Sequence, residues 1–175
     1  MPDLRPVIFV IGVLLSVLAA AMLVPAAVDL AIGEDGEWGT FLTSSAITVF
    51  VGVAMILSSR GPPTTIKVRQ AFILTAVAWL VIAAFAALPF HFSELKLSYT
   101  DAFFESMSGI TTTGSTVIDG LDFASHGLLL WRGLLQWLGG IGIIVMALSV
   151  MPMLRVGGMQ IFRLESSDTS EKALP

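Results

Sequence analysis

The sequence contains no cysteine and few charged residues, and both shortages restrict the class of protein that it encodes. Without cysteine, disulfide bonds and thiolate-based metal or redox sites are excluded. Charged residues make up 13% of the chain, whereas a typical soluble domain has about 25%. The two histidines are too few for a histidine-rich metal site, and a net charge of −4 provides no basic surplus for nucleic acid. These shortages disfavour a soluble domain and a nucleic-acid-binding protein.

Long apolar runs dominate the sequence instead. The chain of 175 residues is 55% hydrophobic, with a mean hydropathy of +0.89. A helix needs about 20 apolar residues to cross a membrane. Four runs therefore predict transmembrane helices: residues 7–32, 41–59, 71–90 and 128–151. The first run is much longer than the apolar core of a signal peptide, which has about 7–15 residues, so we interpret it as a retained helix.

The loop charges predict the orientation of these spans, because lysine and arginine concentrate in cytoplasmic loops. If both termini are cytoplasmic, that side holds seven of the nine basic residues: Arg5, Arg60, Lys67, Arg69, Arg155, Arg163 and Lys172. The outer side then holds only Lys96 and Arg132. Asp29 lies near the outer end of the first span, where we expect its carboxylate to reach water.

The segment between the third and fourth spans predicts a short helix followed by extended backbone. Apolar residues recur at helical spacing over residues 99–110, but about 12 residues are too few to cross the membrane and suit a re-entrant half-helix. Residues 111–117 read Thr-Thr-Thr-Gly-Ser-Thr-Val, an uncharged run whose β-branched residues disfavour a helix. Non-helical backbone persists at membrane depth only where it is buried in protein or lines a water-filled cavity.

Such a backbone run can serve as a cation filter. Carbonyl oxygens held in line replace the hydration shell of a cation, Gly114 permits the positive φ that turns carbonyls to one side, and the negative C-terminal end of the half-helix favours a cation. By composition alone, an ordinary outer loop of small residues remains an alternative. The order of span, half-helix, extended loop and span favours a pore loop.

Two stretches carry a resemblance to a known family. Residues 103–114 read FFESMSGITTTG and residues 131–143 read WRGLLQWLGGIGI. They resemble the first pore loop and the following helix of the Trk/Ktr potassium-uptake proteins, of the TrkH type, in which two extra helices precede the first repeat. The resemblance implies an all-α polytopic membrane protein with four transmembrane helices, one re-entrant pore half-helix and an extended filter loop. It also implies three segments: a two-helix hairpin at 1–69, a span–pore loop–span repeat at 70–154 and a cytoplasmic linker at 155–175.

The resemblance also implies a function and its ligands. Potassium would be taken up across the bacterial inner membrane, bound by backbone carbonyls of Thr112 and Thr113 first, then of Gly114 and Ser115, with Thr111 last. Family members carry four such repeats, so this chain would supply one quarter of a pore. Implied partners are membrane lipid, the remaining repeats, a second full-length subunit and a cytoplasmic TrkA-like nucleotide-binding regulator. No cofactor is implied besides the transported ion.

Several other residues are candidates for supporting the filter. Glu105 in the half-helix and Arg132 in the last span could pair behind it, but the residues alone slightly favour the alternative in which each snorkels separately to water. Three glycines of the last span allow close approach to the pore helix: Gly139, Gly140 and Gly142. Trp131 is a candidate interface anchor, and the deeper Trp137 is expected to pack against the pore helix.

Two alternatives to potassium uptake remain open from the residues alone. The chain could form a homotetrameric cation channel, each copy supplying one filter segment, or it could be a non-conducting membrane scaffold. An enzyme is not predicted, because the nucleophile elbow, the phosphate-binding loop and the zinc-protease motif do not occur in the sequence.

Overall fold

The described residues of the computed structural model are 4–33, 37–61 and 68–144, and they form helices joined by short connections. The helices are α1 Arg5–Ile32, α2 Glu37–Ser58, α3 Val68–Ala86, α4 Leu88–Phe92, α5 Tyr99–Ile110 and α6 His126–Ile144, with a 3₁₀ turn at Leu121–Phe123. The described ranges contain no strand. The predicted linker at 155–175 and the end of the predicted fourth span lie outside the described residues. The contacts below lie within one compact unit that extends to Gly139.

Four of these helical segments are long and apolar enough to cross a membrane: Arg5–Ile32, Glu37–Ser58, Gln70–Phe92 and His126–Ile144. The predicted all-α polytopic fold with four spans is therefore confirmed. The third span combines α3 and α4. Helix α5 has 12 residues, which is too short to cross the hydrocarbon core.

Helices α1 and α2 form a hairpin whose backbones nearly touch. A Cβ added to Gly12 would lie 2.7 Å from the carbonyl oxygen of Gly52, and a Cβ added to Gly52 would lie 2.9 Å from that of Gly12. The hydroxyl of Ser45 donates a hydrogen bond to the carbonyl of Ala19 across the same interface, at 2.8 Å. Small residues that bring backbones together, with a hydroxyl bridging them, are a usual means of helix association in lipid.

The end of α3 supplies carbonyl groups that bind the other helices of the repeat. Carbonyl groups in the last turn of a helix can accept hydrogen bonds from outside the helix. The Trp131 indole N–H donates to Ala86 and the Tyr99 hydroxyl donates to Ala84, both at 3.0 Å. The hydroxyl of Ser106 donates to the carbonyl of Ala83. These bonds fix α5 and α6 against the break in the third span.

The structure contradicts the predicted roles of the two tryptophans in α6. Trp131 is fully buried, with its ring edge-to-face to Phe41 at a centroid distance of 6.3 Å, so its prediction as an interface anchor is wrong. Trp137 is 65% exposed in this chain, so the prediction that it packs against the pore helix is also wrong. Residues four apart share a helix face, and the face of α6 toward α5 carries Leu135 and Gly139.

Asp29 is a third correction. Its side chain is fully buried, and Oδ1 accepts a hydrogen bond from the backbone N–H of Gly127 at 2.6 Å. A Cβ at Gly127 would overlap the carboxylate, so a glycine is required at this contact. The expectation that Asp29 reaches water is wrong, because the start of α6 covers it.

Candidate functional site

Helix α5 leads directly into the candidate filter. Its start is capped by Ser98, whose Oγ accepts a hydrogen bond from the backbone N–H of Asp101 at 3.2 Å, and Asp101 adds negative charge to the first turn. The helix ends at Ile110, so its bounds coincide with the range predicted from the sequence. The negative end of the helix dipole thus lies at the first residues of the 111–117 segment.

Ser108 binds three consecutive residues of the candidate filter. Its carbonyl oxygen accepts hydrogen bonds from the backbone N–H groups of Thr113 at 3.0 Å and Gly114 at 3.3 Å. Its hydroxyl donates to the carbonyl of Ser115 at 2.6 Å. Sequence reasoning missed this role, although Ser108 lies two residues before the end of a half-helix, where a side chain can reach the chain that folds back.

The backbone of the candidate filter is left-handed at two positions. Thr112 has φ of +58° and Gly114 has φ of +79°. Glycine adopts such angles freely, but a β-branched residue rarely does, and non-glycine residues in this region concentrate at functional sites. The Thr112 conformation is held by its N–H, which donates to the carbonyl of Gly109 at 2.9 Å. The Thr111 and Thr113 hydroxyls bond to each other at 2.8 Å.

One edge of this segment is open. Residues 111–117 are all exposed in the single chain, whereas Ile118 directly after them is buried. The described residues contain no group of three or more acidic or histidine side chains that could hold a metal ion. The polar groups that the exposed segment offers to a cation are therefore backbone carbonyls and threonine and serine hydroxyls.

Glu105 fixes the second half of the segment from behind. Its Oε2 accepts hydrogen bonds from the Thr116 hydroxyl and from the backbone N–H of Val117, each at 3.0 Å. Its Oε1 forms an ion pair with Arg132 Nε at 2.5 Å. The Glu105 side chain is fully buried and that of Arg132 is 13% exposed. The structure thus brings the two residues together as a pair, in place of the alternative in which each reaches water.

Glycines allow α6 to pass close to the end of α5. A Cβ at Gly139 would overlap the carbonyl oxygen of Ile110. A Cβ at Gly109, on the facing helix, would lie 3.2 Å from Cβ of Leu135. Gly140 and Gly142, the other two glycines predicted for this role, are partly buried, but a Cβ at Gly140 would meet no described atom within 4 Å, so no close approach depends on that glycine. Contact between α5 and α6 is thus closest where the candidate filter begins.

Comparison with known proteins gives consistent matches over nearly the whole chain. The model of the TrkH family, described as a cation transport protein, matches residues 39–173. The Trk system potassium uptake protein TrkI of Halomonas elongata is 43% identical over 170 residues, covering 97% of this chain and 34% of that protein. TrkH of Escherichia coli K12 is 40% identical over 162 residues, covering 92% of this chain and 33% of that protein.

A solved structure has the same fold. The crystal structure of the potassium transporter TrkH from Vibrio parahaemolyticus matches with a TM-score of 0.82 at 37% sequence identity, covering 96% of this chain and 36% of that one. The chain therefore spans about a third of the length of the curated relatives that it matches.

Proposed function

Because the chain belongs to the TrkH family of cation transport proteins, we propose that it supplies one pore-loop repeat for potassium uptake across the bacterial inner membrane, with both of its ends on the cytoplasmic side. The observation that carries the proposal is the segment 111–117. It is non-helical, lies at the negative end of a short helix, has left-handed backbone at Thr112 and Gly114, and is exposed along its length. The curated relatives are named as potassium uptake proteins.

The proposed ion ligands are backbone carbonyls of the first half of the segment: Thr111, Thr112, Thr113 and Gly114. The positive φ of Thr112 and Gly114 redirects the peptide units, so carbonyl oxygens of this segment can turn to the exposed side and replace the hydration shell of a cation. The carbonyl of Ser115 accepts a hydrogen bond from the Ser108 hydroxyl. It is therefore turned toward α5, and we rank it below the other four as a ligand.

The proposed role of Glu105 and Arg132 is to support the filter without touching the ion. Glu105 binds the backbone of Val117 and is itself neutralised by Arg132, so the filter gains a rigid support with no net charge. Gly139 is proposed to provide clearance at Ile110, and Gly142 is proposed to help the same helix pack. The proposed activity moves an ion and requires no covalent chemistry.

The site is incomplete in one repeat. One repeat contributes one filter segment, so an ion surrounded by four such segments requires the remaining repeats. We propose that the rest of a full-length subunit supplies them. We further propose that this subunit lies in a bilayer as a homodimer. A cytoplasmic TrkA-like nucleotide-binding regulator is a further proposed partner. The segment proposed to face it, 155–175, lies outside the described residues.

Potassium uptake by the full-length protein in a bacterial strain without its own potassium uptake systems tests the proposal. The intact protein should restore growth at low potassium, and potassium uptake should exceed sodium uptake. Gly114→Ser and Gly114→Asp should weaken this preference, because a side chain strains the left-handed backbone at the filter.

Gly120→Ser is the matched control, because Gly120 also has positive φ, at +70°, in the same loop but outside 111–117. It should leave the ion preference unchanged. Equal ion preference in the Gly114 variants and the unmodified protein would reject the filter assignment. A conducting tetramer of the 175-residue chain would support the homotetrameric channel instead.

A further inference from the structure

Two carboxylates of the α1–α2 hairpin bind backbone at the two ends of the pore loop. At the far end, the buried carboxylate of Asp29 accepts the N–H of Gly127 at 2.6 Å. At the near end, Oε1 of Glu37, which is 8% exposed, accepts the N–H of Glu94 at 3.0 Å. Asp29 and Gly127 are 98 positions apart in the chain, and Glu37 and Glu94 are 57 positions apart. Neither contact therefore follows from local structure.

We propose that Asp29 and Glu37 are positioning residues for the ion filter, and we call the pair the outer clamp. The outer clamp fixes the backbone that enters α5 and the backbone that enters α6, so the loop between them has a defined span. The inference rests on the proposed function of residues 111–117, and it assigns a task to the hairpin that precedes the repeat.

The Asp29 contact is suited to hold a helix start. An anionic group is favourable at the positive N-terminal end of a helix, and hydrogen bonds to charged groups are stronger than neutral ones. Ser125 caps the same end, with its Oγ accepting from the N–H of Leu128 at 3.2 Å. Asp29 thus adds a charged acceptor from a different helix to an end that already has a local cap.

A physical path leads from Asp29 to the filter. Gly127 and Arg132 lie on the same helix, separated by about 7.5 Å at 1.5 Å per residue. Arg132 pairs with Glu105, and Glu105 binds the backbone N–H of Val117. A shift at the start of α6 therefore moves Arg132 and, through Glu105, the second half of the filter.

The Glu37 contact lies at the other end of the pore loop, before α5. Thr40, one turn further along α2, donates from its hydroxyl to the carbonyl of Phe92 at 3.4 Å. Both bonds lie just before Ser98, which caps α5. The backbone that leads into the pore helix is thus held against the start of α2.

Ion preference per molecule in the full-length protein tests the outer clamp. Asp29→Ala and Glu37→Ala should each lower the preference for potassium over sodium about tenfold, the change that accompanies loss of a hydrogen bond to a charged group. Asp29→Asn and Glu37→Gln keep an oxygen acceptor and should recover most of it. Glu94→Gln is the matched control, because its side chain is exposed and its backbone N–H remains.

Uptake must be normalised to the amount of folded protein in the membrane, because a purely structural role would lower that amount and leave the ion preference unchanged. If the alanine variants do not accumulate, the Asn and Gln variants decide: they should show a smaller but measurable loss of preference. Unchanged preference in every variant that accumulates would overturn the outer clamp.

Backbone hydrogen exchange of the purified protein separates this inference from the proposed function. Peptides covering 111–117 and Gly127 should exchange faster in Asp29→Ala than in the unmodified protein or Glu94→Gln. If the unmodified protein does not transport potassium, the proposed function fails, and this exchange result alone decides whether the hairpin positions the loop. Equal exchange in all variants would reject the outer clamp.

Discussion

Oε2 of Glu105 accepts a hydrogen bond from the backbone N–H of Val117 at 3.0 Å. The carboxylate that pairs with Arg132 is therefore also bound to the segment proposed to select the ion. Glu105 has two tasks, as the partner of a cation and as an acceptor for backbone, and these tasks respond differently to substitution.

The charge-swapped protein Glu105→Arg with Arg132→Glu should not recover the function lost in the single variants. An arginine at position 105 has no oxygen to accept from Thr116 and Val117, although the opposite charges are both present. Glu105→Ala should destabilise the protein by about 3–5 kcal/mol, because Arg132 is left without its buried partner. Thermal melting and the potassium-to-sodium uptake ratio check both statements. Full rescue by the swap would show that the pairing alone matters.

Gly139→Ala should destabilise the protein by about 1–3 kcal/mol, because the added methyl overlaps the Ile110 carbonyl and overpacking has costs of this size. Gly133→Ala is the control in the same helix. It is exposed, and a Cβ there meets no described atom within 4 Å, so it should gain about 0.5–1 kcal/mol of stability from reduced backbone entropy. Melting in detergent measures both. Equal effects would contradict the close contact of α6 with α5.

Ser108→Ala should lower stability by about 1 kcal/mol and reduce ion preference only partly. The hydroxyl bond to Ser115 is lost, while the Ser108 carbonyl still binds Thr113 and Gly114. Ser58→Ala removes an exposed hydroxyl that donates within its own helix and should change neither quantity measurably. A Ser108 variant with unaltered ion preference would show that Ser115 does not need this bond.

Thr112→Gly should be neutral or stabilising, in contrast to Thr113→Gly. Glycine relieves a left-handed conformation that costs an ordinary residue about 1–2 kcal/mol, which offsets the entropy that glycine loses on folding. At Thr113 only the entropic loss of about 0.5–1 kcal/mol applies. Comparing the two melting temperatures tests the strain at Thr112. A larger loss in Thr112→Gly than in Thr113→Gly would show that the threonine side chain outweighs the backbone strain.

Local signals were sufficient to predict the framework of the site from the sequence. The spans follow from apolar length, and the 99–110 helix follows from its apolar spacing, a signal that acts within one or two turns. Contacts between distant segments were not predictable in the same way. The sequence around Asp29 predicts an interfacial carboxylate. Its burial under α6 is not visible locally, because its partner Gly127 is 98 positions away.

The rotation of α6 about its axis could not be predicted from the sequence either. Length and hydropathy identify a span but do not say which face meets which neighbour, so the burial of Trp131 and the exposure of Trp137 were not predicted. The positive φ of Thr112 was missed for a different reason, since a β-branched residue carries no preference for that conformation.

The close contact of Gly12 with Gly52 has a consequence for the order of assembly in the cell. This interface depends only on residues of the first two spans, and chains fold from the N-terminus as they are synthesised. The hairpin can therefore be complete in the bilayer before the ribosome has made the repeat. We therefore expect the pore loop to fold against a preformed surface that already presents Asp29 and Glu37, so that the first two spans act as a template for the insertion of the third and fourth.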